Sequence, residues 1–344
     1  MSVFTYPEAI IAGVVQGVSE LFPVSSLGHG VLLPALIGGK WAQDMNMAVP
    51  NSPYLDILVA AHVGTAIALI VFFWSDWVRI VGGLFTSIRH FEVKTTYQRL
   101  AWLLVLGTIP VGIAGILLDK VVQHDLGKPI PASVFLALNG AVLFAVERIK
   151  TNRADDEEFM AALRRHDGPG GSDPYGSDDY SDLSSDDDTM LIQPVSATDV
   201  TVPMTAVDSA VAVDAKLAKL SIGEVIGIGS AQILALLPGI SRSGSTIVGG
   251  LLRGLKHDEA ARFAFLLATP AILGAGLFKM PDLLKPEMRG SLGPAMVCLV
   301  VAGVAAFISV RFLTSYFETR TLKPFGIYCL VAGLGSLVFF TLVR

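Results

Sequence analysis

Apolar residues recur along this chain in long, nearly unbroken runs, and two of those runs are interrupted by a short polar cluster around a proline. Residues 5–22 and 24–38 form the first interrupted pair. Each piece is shorter than the ~20 residues a straight helical span of a bilayer needs. Pro23 removes a backbone donor and disfavours helix at Phe22, so the break belongs there. The pattern predicts a helical hairpin that enters and leaves the membrane on one side. Residues 222–237 and 247–255 repeat it around Pro238-Gly239-Ile240-Ser241-Arg242-Ser243-Gly244-Ser245. Full spans are predicted at 54–74, 100–118 with a kink at Pro110, 133–146, 260–278, 292–312 and 325–342. Residues 39–53 read as a polar loop. Residues 77–99, with Arg79, Arg89, Lys94 and Arg99, read as an interfacial amphipathic stretch plus loop, and Trp74 and Trp77 as interfacial aromatics.

The predicted fold is an all-α polytopic membrane protein, each half a re-entrant helical hairpin plus about three transmembrane helices. A shift of 216 pairs Gly13 with Gly229, Gln16 with Gln232, Leu21 with Leu237, Ser25 with Ser241 and Gly28 with Gly244. These identities cluster at the two breaks and point to an internal duplication. A unit of one hairpin and three spans crosses the membrane an odd number of times, so the second copy is inverted. An inverted-topology repeat brings the two breaks face to face near the bilayer midplane.

Composition agrees. Of 344 residues, 52% are hydrophobic and 16% charged, with a mean hydropathy of +0.61, which excludes an ordinary soluble domain. The short alternating segments of a β-barrel are absent. The exception is an Asp-, Ser-, Gly- and Pro-rich stretch that divides the chain into a first membrane repeat (1–150), an acidic insert (151–216) and a second membrane repeat (217–344). Residues 155–214 carry a net −13, which leaves +8 on the rest of a chain whose total is −5. So few apolar residues predict disorder for the insert. The positive-inside rule puts 75–99 and the insert in the cytoplasm, both chain ends outside, and the first hairpin's polar cluster opening to the outer face. The first Lys or Arg is Lys40, so the N-terminal run does not read as a cleavable leader. Cys298 and Cys329 sit in apolar runs and make neither a disulfide framework nor a metal site.

Polar groups within lipid-compatible sequence are costly and usually functional. Gln16 and Glu20 are four apart and share a helical face, suited to holding a divalent cation or, for Glu20, to general-base work. Ser26 and His29 follow the proline. Serine is a weak nucleophile until a base takes its proton, and histidine has a pKa suited to that. Ser25 is a candidate ligand contact or simply the N-cap of the next helix, and Gly28 allows close backbone approach. In the second hairpin Ser241, Arg242, Ser243, Gly244 and Thr246 put a guanidinium, hydroxyls and amide donors at a helix start, a good phosphate site. His62 reads as a satisfied interior histidine, outside the site. No nucleotide loop, zinc-spaced set or nucleic-acid motif is present. Self-association and any partner of the insert stay open.

Gln16-x-x-x-Glu20, Pro23-Val-Ser-Ser-x-Gly-His29 and Pro238-Gly-x-Ser-Arg-Ser-Gly-x-Thr246 together resemble the signature of the bacterial undecaprenyl-diphosphate phosphatases of the bacitracin-resistance type. The resemblance implies hydrolysis of undecaprenyl diphosphate to the monophosphate and phosphate, recycling the carrier lipid for peptidoglycan. It implies catalytic roles for Glu20, Ser26, His29 and Arg242, and substrate contacts from Ser25, Ser241, Ser243, Gly244 and Thr246. It also implies a magnesium or calcium ion at Glu20 and Gln16, and a site worked from the outer face. Two departures stand out: the first acidic position is Gln16, and the insert separates the halves. Attack by Ser26 and attack by an activated water are both open. A lipid or anion transporter on the same inverted repeat, without hydrolysis, is the competing class. The phosphatidic-acid-phosphatase type would need a histidine six residues after Arg242, where Val248 stands.

Overall fold

The computed structural model describes residues 4–47, 49, 53–121, 126–166, 206–283 and 290–343. They form α1 (Tyr6–Ser19), α2 (Ser26–Ile37), α3 (Gly39–Asp44), α4 (Pro53–Phe72), α5 (Trp74–His90), α6 (Thr96–Val121) and α7 (Pro129–His166). These are followed by α8 (Ala206–Leu217), α9 (Ile222–Ala231), a 3₁₀ turn (Gln232–Leu236), α10 (Arg242–Leu252), α11 (His257–Leu283), α12 (Leu292–Thr319) and α13 (Lys323–Leu342). No strand occurs among the described residues. Among the described residues six helices are long and apolar enough to cross a bilayer: Tyr54–Phe72, Thr96–Leu118, Pro129–Asn152, His257–Lys279, Leu292–Thr319 and Lys323–Leu342. Three precede the insert and three follow it, as the pattern of apolar runs predicts.

Both hairpins begin alike. Glu8 reaches back to the Thr5 N–H at 2.7 Å, and Glu224 to the Ser221 N–H at 2.8 Å. Each closes a capping box that satisfies amides otherwise orphaned at a helix start. The two boxes lie 216 residues apart. Each hairpin's first helix then packs against a span of the other half, α1 on α12 and α9 on α6. Small residues make these approaches close. A Cβ on Gly13 would stand 2.8 Å from the Cys298 carbonyl oxygen, and one on Gly229 would collide with Gly107. α4 lies at the centre, packed on α1, α11 and α12.

The chain forms two compact units, Met1–Lys150 with Val213–Arg344, and Thr151–Ala212. Within the first, buried ion pairs fasten the ends of helices. Arg262 grips Asp214 through two bonds of 2.8 and 2.9 Å and reaches Asp76 at 3.0 Å. Glu147 is buried. It accepts from His257 Nε2 and from the Leu322 N–H, each at 2.7 Å, and so joins α7 to α11 and to the start of α13. In the second unit α7 runs on to His166, past the boundary that composition set at 151. Glu157, Glu158, Met160, Ala161, Ala162 and Leu163 are strong helix formers and outweigh the local charge there. The core of the expected disorder, residues 167–205, lies outside the described residues.

Two smaller expectations shift. Gly39–Asp44 is a short helix inside the stretch read as loop, held by a Lys40–Asp44 pair at 3.6 Å. The span read as ending at Trp74 stops at Phe72, and α5 starts a new helix there. Trp74, Val78, Val81, Phe85 and Ile88 are exposed on α5 while Asp76, Ile80 and Ser87 are buried, the division an interfacial helix needs.

Candidate active site

α1 ends at Ser19, and a turn over residues 20–24 leads to Ser25, the N-cap of α2. Ser25 has φ 70°, a left-handed conformation that is unfavourable for a serine. Its own groups hold it there. The hydroxyl oxygen accepts the Gly28 and Gly239 amides, each at 3.1 Å, and its carbonyl accepts Nδ1 of His29 at 2.7 Å. The bend points Ser26 back at Glu20, so the serine hydroxyl donates to Glu20 Oε2. The same oxygen accepts Gln16 Nε2 at 2.9 Å and has His62 Nε2, from α4, at 3.4 Å. The other carboxylate oxygen holds Arg242 of the second hairpin at 2.7 Å. Glu20 is buried, and a buried carboxylate is tolerable only when surrounded in this way.

The second break is locked to the first through main chain. Ser241 caps α10 by accepting the Gly244 amide at 3.1 Å. The hydroxyls of Ser241 and Ser243 donate to the Phe22 carbonyl at 3.4 and 3.1 Å. Asn139 of α7 bridges both breaks, giving Nδ2 to the Pro23 carbonyl at 3.0 Å and accepting the Ser241 amide on Oδ1 at 3.1 Å. A Cβ on Gly28 would stand 2.8 Å from Gly239 Cα, and one on Gly244 would stand 3.2 Å from Pro23 Cβ. Under the shift of 216 these two approaches are one contact seen from either half.

The model of the family described as "Bacitracin resistance protein BacA" matches residues 9–165 and 194–335. The chain belongs to the BacA bacitracin-resistance family. Among curated relatives, a protein of Mycolicibacterium paratuberculosis named undecaprenyl-diphosphatase is 48% identical over 338 residues, covering 98% of each chain. One of Frankia casuarinae named undecaprenyl-diphosphatase 1 is 47% identical over 364 aligned positions, 97% of each chain. One of Frankia alni named undecaprenyl-diphosphatase 2 is 44% identical over 337 residues, 97% of each chain. The internal stretch that the family model passes over, residues 166–193, lies within the acidic insert.

In this BacA-family chain Gln16, Glu20, Ser26 and Arg242 converge on one carboxylate. Ser25, Ser241, Ser243 and Thr246 bond to the protein itself through their hydroxyls, Thr246 donating to the Arg242 carbonyl at 2.9 Å. His29 makes no bond to Ser26. Its Nε2 lies 2.7 Å from the Tyr328 hydroxyl of α13, and the two rings stack at 5.7 Å and 10°. Two residues at the site, Asn139 and Tyr328, escaped the sequence reading, and His62, read as a satisfied interior histidine outside the site, lies 3.4 Å from Glu20. The only sequence signal for them is a polar side chain inside an apolar run.

Among the described residues no group of three or more His, Cys, Asp or Glu is placed to hold a metal. The donors at the break are one carboxylate and one amide, from Glu20 and Gln16. Such an oxygen set suits magnesium or calcium when phosphate oxygens of a ligand and water complete the shell, as magnesium commonly requires. Beside His29 an apolar cleft is lined by Ile11, Val15, Leu33, Ile37, Trp41 and Tyr54. Ile11 and Ile37 are exposed at it.

Proposed function

We propose that the chain is an integral membrane phosphatase that hydrolyses undecaprenyl diphosphate to undecaprenyl phosphate and phosphate. The observation that carries this reading is the buried Glu20 carboxylate, which receives a serine from one hairpin and an arginine from the other. Its relatives' shared name, undecaprenyl-diphosphatase, gives the substrate. An apolar cleft beside His29 suits the first isoprene units of such a lipid.

Arg242 pairs with Glu20 at 2.7 Å, and an entering diphosphate competes for it, because a guanidinium grips phosphate oxygens in a fork. Glu20, released, takes the proton that Ser26 already offers it. The serine oxygen bonds to the terminal phosphorus, the anhydride P–O bond breaks, and undecaprenyl phosphate leaves with the bond's electrons. Water then attacks the phosphoserine and gives its proton to the His29 side of the site, the P–O bond to Ser26 breaks, and Glu20 returns its proton to the leaving serine oxygen. A divalent cation held by Glu20, Gln16 and the phosphates would neutralise the diphosphate's charge.

Purified protein in detergent tests this. Phosphate release there, where no gradient exists, separates hydrolysis from transport. EDTA should stop it, and magnesium or calcium should restore it. Full turnover in a metal-free preparation would remove the ion, and no turnover at all would remove the phosphatase.

The reciprocal Gly28–Gly239 and Gly244–Pro23 approaches, the paired capping boxes and the exchanged packing of α1 and α9 support an inverted repeat around this site. With the loop charges, that arrangement opens the site to the outer face. Single cysteines at positions 48, 124 and 180, all outside the described residues, test the orientation with an impermeant thiol reagent on intact cells. Cys298 and Cys329 are buried and do not compete. Positions 48 and 124 should label and 180 should not; labelling of 180 alone would turn the site to the cytoplasm.

A further inference from the structure

Both nitrogens of His29 are occupied. Nδ1 faces the Ser25 carbonyl at 2.7 Å, and a carbonyl only accepts, so the Nδ1 position carries a proton. Nε2 is therefore the nitrogen with which a neutral His29 accepts, and it lies 2.7 Å from the Tyr328 hydroxyl. Whatever proton His29 takes must displace that hydroxyl or pass through it.

We propose that Tyr328 is a proton-relay residue of the active site, standing between His29 and the reacting water. The inference rests on the phosphatase reading, in which His29 is the final acceptor. Three observations favour relay over displacement. The rings stack at 5.7 Å and 10°, which fixes the hydroxyl on Nε2. Tyr328 is 47% exposed on α13, and its oxygen, while donating to Nε2, still has lone pairs with which to accept from a water. A phenol is also both donor and acceptor. As the water attacks phosphorus, its proton passes to the phenol oxygen while the phenol proton passes to Nε2. One O–H bond forms and one breaks at Tyr328, one N–H bond forms at His29, and no redox change occurs.

Tyr328→Phe keeps the ring stack and deletes only the hydroxyl. In phosphate-release assays on the full chain in detergent, kcat should fall at least about tenfold, with KM within about twofold of wild type. The same change on a His29→Gln background should cost nothing further, since both lie on one proton path. Tyr328→Leu should match the phenylalanine variant in kcat and also melt earlier, which separates the lost stack from the lost hydroxyl. A phenylalanine variant with wild-type or raised kcat would overturn the relay, as would losses that multiply in the double variant. A wild-type chain that releases no phosphate would instead sink the phosphatase reading itself.

Discussion

At the first break Gln16 gives its amide to Glu20 at 2.9 Å. At the second, Gln232 occupies the matching position, is 1% exposed, and neither its amide nitrogen nor its oxygen has a hydrogen-bond partner among the described residues. The position matching Glu20 there is Leu236, the one matching Ser26 is Arg242, and the one matching His29 is Ser245. The scaffold of the two breaks is alike: capping box, close glycine contact, serine N-cap. Their chemistry is divided, with acid, hydroxyl and imidazole on one side and the cation on the other. A site with a carboxylate on both sides would set like charges against each other and against a diphosphate. One carboxylate facing one guanidinium can bind the anion and still keep a base.

The sharpest way to break the comparison is to remove the divided groups one at a time. Glu20→Gln and Ser26→Ala should each lower turnover by roughly 10³-fold, and Arg242→Lys by about 10²-fold, since a point charge does not replace the fork. Phosphate release under saturating lipid measures all three. Turnover that survives Ser26→Ala would assign the attack to water, and a lysine variant near wild type would reduce Arg242 to its charge.

Much of this was legible because it is local. Gln16 and Glu20 show themselves by a four-residue spacing, the breaks by Pro23 and Pro238, and Arg242 by its place at a helix start between apolar runs. What stayed hidden comes from far along the chain. Asn139 clamps two breaks from 116 and 102 residues away, and Tyr328 meets His29 across 299. His62 read as an isolated interior histidine because its partner lies on another helix. Ser25 reads as a ligand contact or a helix cap, and its hydroxyl oxygen caps α2 while also accepting the Gly239 amide from the other half of the chain. The length of α7 was missed because the acidic composition after Thr151 masked a run of good helix formers.

A smaller effect tests whether the breaks must touch. Gly28→Ala places a methyl 2.8 Å from Gly239 Cα, a backbone atom that cannot rotate aside. Overpacking of this kind costs about 1–3 kcal/mol, and it should lower the detergent melting temperature and activity together, because it separates Glu20 from Arg242. An alanine variant that melts and turns over like wild type would show that the breaks need not meet so closely.

The smallest expected effect bears most directly on what divides the two breaks. If Gln232 is the unused counterpart of Gln16, its buried amide costs stability and contributes nothing to turnover. An unpaired buried polar group costs about 1–3 kcal/mol, and leucine fills a similar volume without that penalty. Gln232→Leu should therefore leave phosphate release within about twofold of wild type and raise stability by about 1 kcal/mol, part of the gain going to imperfect packing. Gln16→Leu is the control, since it takes a donor from the buried Glu20 carboxylate and should lower both stability and turnover. The pair is read by thermal melts and phosphate release on the same preparations. A Gln232→Leu variant that loses turnover as Gln16→Leu does would mean that the second break also handles the ligand, and the division of labour drawn between the two would fall.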